Sequence, residues 1–161
     1  MVAVLLVTAG LLGGWYVHDR TGPRDAATAR ERLEAHTRTL ASELGLRDVT
    51  ADALAMDDGS GECGVWQGDR QITTGPHRQH MIALTGRPPR GRKASGLRPD
   101  AEAVLDRLGY QIITDQISFG QAPPPGIVVA RWGWSDGLEI TLLPAGDTVG
   151  VNGTASCLPV R

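Results

Sequence analysis

The chain has 161 residues, 41% hydrophobic and 21% charged, which is enough for one domain with a real core. Its formal net charge of -2 supplies no general positive field, so nucleic acid is not an expected partner.

Residues 2–17, VAVLLVTAGLLGGWYV, carry no charge and end in Trp15 and Tyr16, rings that favour a membrane interface. The expectation is an N-terminal membrane helix or signal anchor over 1–20, a linker over 21–24, and an extracytoplasmic domain over 25–161. The run is slightly short for a full span, so a secreted form with a cleaved signal is the alternative. Arg20 and Arg24 follow the run while no basic residue precedes it, which opposes this orientation by the positive-inside rule. A buried core helix is the remaining reading of the same segment.

Beyond the linker, DAATARERLEAHTRTLASELG sets Ala26, Ala29, Leu33, Leu40 and Leu44 at helical spacing. Asp25 suits its N-cap and Gly45 its C-terminal stop. LRDVTADALAMDDGSG fits an irregular connection or a short strand and reads mainly as a loop. GECGVWQG and RQHMIALTG are two strands bounded by glycine and joined through DRQITTGP. GRPPRGRKASGLR interrupts regular structure. A second helix follows in PDAEAVLDRLG, with Pro99 in its first turn and Gly109 closing it. From Tyr110 the pattern has period two, giving four strands in YQIITDQISFG, GIVVARWGW, LEITLLP and DTVGVNGTASC. Turns fall at Ser135 to Gly137 and Pro144 to Asp147. The fold expected is α+β, an antiparallel sheet of about five to six strands with two helices on one face, in the order α-β-β-α-β-β-β-β.

Cys63 and Cys157 are the two cysteines, in no zinc-binding pattern. A disulfide between them would close a loop of about 95 residues, with roughly 4 to 5 kcal/mol of stabilisation in the chain-entropy model. Such a bond requires an oxidising compartment and agrees with export. Two separate buried thiols are the alternative.

Arg87, Arg90, Arg92, Lys93 and Arg98 form the densest charge feature, with no acid among them. Guanidinium forks match phosphate oxygens, so this loop is a candidate contact for anionic lipid or envelope polymer, beside the alternative of a solvated loop. His77 and His80, with His36 or Asp69, do not have the spacing of a metal site on a strand. Asp57, Asp58, Ser60 and Glu62 fit a turn better than a calcium loop. Trp132 and Trp134 share a strand face and are expected in the core. No nucleophile elbow, Walker loop or dinucleotide fingerprint occurs, and no cofactor is expected.

The chain is rich in Ala, Gly and Arg, with a short apolar N-terminus and widely spaced cysteines. In this general layout it resembles exported or membrane-anchored small proteins of actinobacteria, a resemblance that carries no catalytic residue over. The leading expectation is a non-enzymatic, membrane-anchored binding or interaction domain of the cell envelope, its partner an envelope protein. The alternatives are a binder of anionic polymer or lipid through Arg87 to Arg98, and an enzyme whose site gathers scattered residues such as His77, His80, Asp69 and Asp115.

Overall fold

The computed structural model describes residues 23, 25–51, 65–67, 70–72, 77–116, 124–133 and 137–160. The expected membrane segment 2–17, the acidic turn 57–62, Cys63, Asp69 and Trp134 lie outside them. Among the described residues no helix is long and apolar enough to cross a membrane.

Helix α1, Ala26–Glu43, begins where Asp25 adopts an extended conformation and its carboxylate accepts the Thr28 backbone N–H at 2.8 Å. This N-cap satisfies one of the free donors of the first turn, for about 1 kcal/mol. The helix buries Ala26, Ala29, Leu33, Thr37, Leu40 and Ala41, a stripe at spacings of three and four. Helix α2, Arg98–Arg107, carries Pro99 in its first turn and buries Ala101, Val104 and Leu105. Both helices end in the same way. Gly45 and Gly109 take positive φ, Leu46 N–H bonds to Ala41 O, and Tyr110 N–H bonds to Leu105 O. Each end is a Schellman motif, which explains why glycine follows both apolar stripes.

The strands are β1 Arg47–Ala51, β2 Val65–Gln67, β3 Arg70–Ile72, β4 His77–Arg78, β5 Met81–Arg87, β6 Gln111–Ile112, β7 Val128–Trp132, β8 Leu138–Ala145, β9 Thr148–Ala155 and β10 Leu158–Pro159. Six of them form an antiparallel sheet in the order β1-β5-β9-β8-β7-β6. The pairs β4 with β10 and β2 with β3 form two small ladders of their own. The architecture is α+β, with the two helices against one face of the sheet.

Strict alternation creates that face. Along β9 every second residue from Val149 to Ala155 is buried, and Leu138, Ile140 and Leu142 do the same on β8. Val128, Ala130 and Trp132 of β7 and Leu84 of β5 complete the layer beneath Leu33, Leu40 and Leu105. Each fully buried Leu or Ile contributes about 1.5–3 kcal/mol relative to exposure, so this layer dominates stability. Gly153 sets how closely α1 approaches. A Cβ there would lie 2.8 Å from both Leu33 Cδ1 and Thr37 Cγ2. Thr37, fully buried, returns its hydroxyl to Leu33 O at 2.7 Å, so its polar group is satisfied inside the apolar layer.

Three expectations about the strands are corrected. The segment after α1, read mainly as a loop, supplies edge strand β1, whose five residues are all exposed. Exposure on every position erases the alternation that periodicity relies on. The strand around Val65 lies outside the main sheet, and the joining segment contains β3, which pairs with it. YQIITDQISFG yields only two strand residues before the short 3-10 turn Thr114–Gln116. The buried Thr114 hydroxyl there accepts the Val129 backbone N–H at 2.8 Å, taking a ladder position that a longer β6 would fill.

Candidate functional site

The loop between β5 and α2 lies against the end of the sheet where β8 turns into β9. That turn has two residues, Gly146 and Asp147, with Gly146 in the left-handed region. Loop and turn border an open cleft of about 760 Å3. Its cationic side chains are Arg47, Arg87, Arg90, Arg92 and Lys93, and Asp147 is the one carboxylate in the lining among the described residues. Pro88, Pro89, Pro125 and Pro144 supply stiff apolar walls.

The sequence of the loop explains its shape. Pro88 and Pro89 stop β5, Gly91 takes a positive φ, and Arg92 N–H bonds to Pro89 O, closing a turn. Lys93 then precedes the 3-10 helix Ala94–Leu97, which seats the buried Ala94 and Leu97 on the core. Arg90 and Lys93 are thus held on a loop anchored at both ends, with their side chains in solvent.

The five basic residues singled out in the sequence divide into three groups. Arg87, Arg90 and Lys93 line the cleft, and no carboxylate among the described residues pairs with them. Arg92 also lines it but is engaged by Asp100 and by Gly96 O. Arg98 is excluded. Its Nε donates to Glu102 at 2.6 Å, and its Nη2 lies 3.6 Å from Asp115. The Glu102 hydrogen bond is the main influence raising the pKa of Arg98, so this guanidinium serves α2 and not the cleft. The physical reason is helical spacing: Arg98 and Glu102 are four apart on the first turns of α2.

Arg47 was missed by sequence reasoning. It stands 40 residues before Arg87 and enters the cleft only because β1 pairs with β5, where Arg47 lies opposite Arg87. Its Nε and Nη2 both donate to Pro88 O at 3.1 Å, satisfying a carbonyl on a buried proline. No local motif marks it, since the signal lies in strand pairing.

Other candidates do not converge. His80 is 6% exposed and sits at a strand end, directly before β5. Its backbone O accepts from Ala155 N–H at 2.8 Å, placing it between β4 and β5 beside the end of β9. Asp115 is exposed beyond β6. Three strands separate β5 from β6, a span of roughly 19 Å at the usual strand spacing. Asp69 lies outside the described residues, as do the side-chain surroundings of His77. Among the described residues no group of three His, Cys, Asp or Glu side chains is arranged to hold a metal ion. Trp132 is buried, as expected of a core residue, and Arg32 of α1 stacks 4.5 Å over its ring. Cys157, half-buried between β9 and β10, is not a free thiol, whereas Cys63 falls outside the described residues.

A polar contact joins α1 to the segment that follows α2. His36 Nδ1 and the Tyr110 hydroxyl are 3.1 Å apart, with the rings edge to face. Burial, and then the charge of Arg32, lower the His36 pKa below its ordinary value. Burial pushes the Tyr110 phenol upward, so it stays protonated in ordinary buffers. The pair sits within the helix packing. On the sheet face opposite the helices, Met81, Ala83, Thr141, Leu143, Asn152 and Thr154 line a smaller depression of about 340 Å3, with no titratable side chain among the described lining residues.

No protein-family model, curated protein or solved structure matches this chain.

Proposed function

We propose that this protein is a non-enzymatic binding domain of the cell envelope that recognises anionic ligands in the cleft of Arg87, Arg90 and Lys93. One observation carries the reading. In a chain of net charge -2, five cations among the described residues converge on one cleft, and four of them, all but Arg92, have no carboxylate partner there. Surface cations normally intermix with acids, which lowers their mutual repulsion. A cluster that forgoes this attracts a counter-charge from solution, and the low-dielectric proline walls concentrate its field. Arginine forks favour phosphate-type oxyanions over single-point anions.

In this reading residues 2–17 hold the domain at the outer face of the cytoplasmic membrane, and a Cys63–Cys157 disulfide braces it in the oxidising compartment. The apolar N-terminal run supports the first part, and the bonded state of Cys157 supports the second. Fractionation with thiol labelling tests them: two labelled cysteines in a cytosolic fraction would refute the location and the bridge together.

The binding role is tested by titrating the full chain with soluble polyphosphate and with vesicles containing phosphatidylglycerol. Neutralising the cleft in R87Q/R90Q/K93Q should weaken binding at least about tenfold and flatten its salt dependence. Unchanged binding by the triple variant would overturn the proposal.

A further inference from the structure

We infer that Arg47 and Arg87 form a two-guanidinium clamp for a single phosphate group, and that this clamp is the principal anchor of the cleft. The inference rests on the anion-binding reading above and narrows it to one pair of residues and one ligand chemistry.

Arg47 on β1 and Arg87 on β5 are directly opposed, so their side chains leave the same face of the sheet at closest cross-strand distance. Like charges in that position oppose pairing of the strands, and no carboxylate among the described residues forms an ion pair with either one. An edge strand with five exposed residues has little apolar burial to compensate. An anion held between the two guanidinium groups turns the repulsion into two attractive contacts.

Arg47 is also preorganised for an anion. The two hydrogen bonds to Pro88 O use Nε and Nη2 of Arg47, which fixes the plane of the guanidinium and leaves Nη1 unengaged. Fixing a long side chain before the ligand arrives removes part of the entropy cost of binding.

Backbone geometry also holds Arg47 in place. Asp48, the next residue, has φ +53, a left-handed conformation that is costly for a residue other than glycine. The register of β1 shifts between Arg47 and Thr50, as at a β-bulge. The bulge is packed tightly: a Cβ at Gly86 would lie 3.1 Å from Leu46 Cβ and from Val49 Cγ2. A strained bulge under close packing holds Arg47 opposite Arg87, where a regular ladder would continue in a different register.

A phosphate presents several oxygens at tetrahedral angles, enough for both forks at once, whereas a carboxylate has two coplanar oxygens that one fork already occupies. The ligand class is therefore a phosphate group in preference to a carboxylate. A soluble polymer and a lipid headgroup share this chemistry.

The experiment titrates the full chain in detergent with inorganic pyrophosphate, sodium acetate, polyphosphate and phosphatidylglycerol vesicles, following affinity and melting temperature. Pyrophosphate should bind and acetate should not. R47Q and R87Q should each lose about tenfold or more in pyrophosphate affinity, and R47K, which keeps the charge without the fork, should recover only part of it. R90Q/K93Q should lose only a few-fold. Without ligand, R87Q should melt no lower than the wild type, because it removes a repulsion, while losing the pyrophosphate-induced stabilisation. Wild-type affinity in R47Q and R87Q, with loss confined to R90Q/K93Q, would overturn the clamp and leave the anion-binding cleft standing. Absence of binding to pyrophosphate, polyphosphate and vesicles alike would overturn both. Preference for vesicles over polyphosphate would identify a lipid headgroup as the source, and the reverse a soluble polymer.

Discussion

The helix-covered face of the sheet and the basic end of the same sheet follow opposite rules. Beneath the helices, Val149, Val151, Ile140 and Leu142 present apolar groups at every second position, and the one deeply buried hydroxyl of α1, on Thr37, is bonded to its own helix. At the other end, Arg87, Arg90 and Lys93 gather charge of one sign around prolines. The first region lowers the free energy of the fold by taking apolar area out of water. The second gains nothing from folding in this way and places like charges in register. Stability and recognition are thus divided between two parts of one sheet, and β5 belongs to both, with Leu84 in the core and Arg87 in the cleft.

This contrast can be broken most directly in the core. Ile140 is fully buried on β8, beside Gly153 and Ala130 on the neighbouring strands, and Ile140→Ala should cost about 2–5 kcal/mol in denaturant unfolding. A loss under 1 kcal/mol would mean that the face is not packed as described. Gly153→Ala should cost about 1–3 kcal/mol, because the new methyl group meets Leu33 and Thr37 and pushes α1 off β9. A neutral result would show that α1 can shift freely. The triple neutralisation of the cleft, in contrast, should leave the unfolding midpoint near that of the wild type while weakening anion binding at least about tenfold, since exposed charges contribute little to stability.

The smallest effect expected is electrostatic. The folded-state pKa of His36 lies below its unfolded value, so the unfolded chain takes up the proton first as pH falls. The contribution of His36 to stability is fully present above an unfolded pKa of about 6.5 and is lost as pH drops below it. Melting temperatures at pH 7 and pH 5 should therefore converge in His36→Gln compared with the wild type. An equal drop in both proteins would remove His36 as a cause.

Much of this was legible in the sequence, because the signals were local. Asp25, Gly45, Pro99 and Gly109 act within one turn of the chain, and their roles follow from backbone hydrogen bonding alone. The alternation of β8 and β9 reports burial of one face directly. Edge strand β1 gave no such signal, since every residue on it meets solvent. The arginine-rich loop was visible as a run of charge, but the run did not distinguish Arg98, neutralised within its own helix, from Arg90, which has no carboxylate partner.

The sequence by itself determined the α+β class, the two helices and their ends, and the charged loop, since each depends on residues within a few positions of one another. Tertiary structure alone decided that Arg47 joins Arg87, that Arg98 leaves the cleft, and that Gly153 seats α1 on the sheet. These outcomes depend on strand order and register. Register brings together residues distant in the chain, and it is fixed by the summed burial of a whole face, which no short stretch of sequence contains.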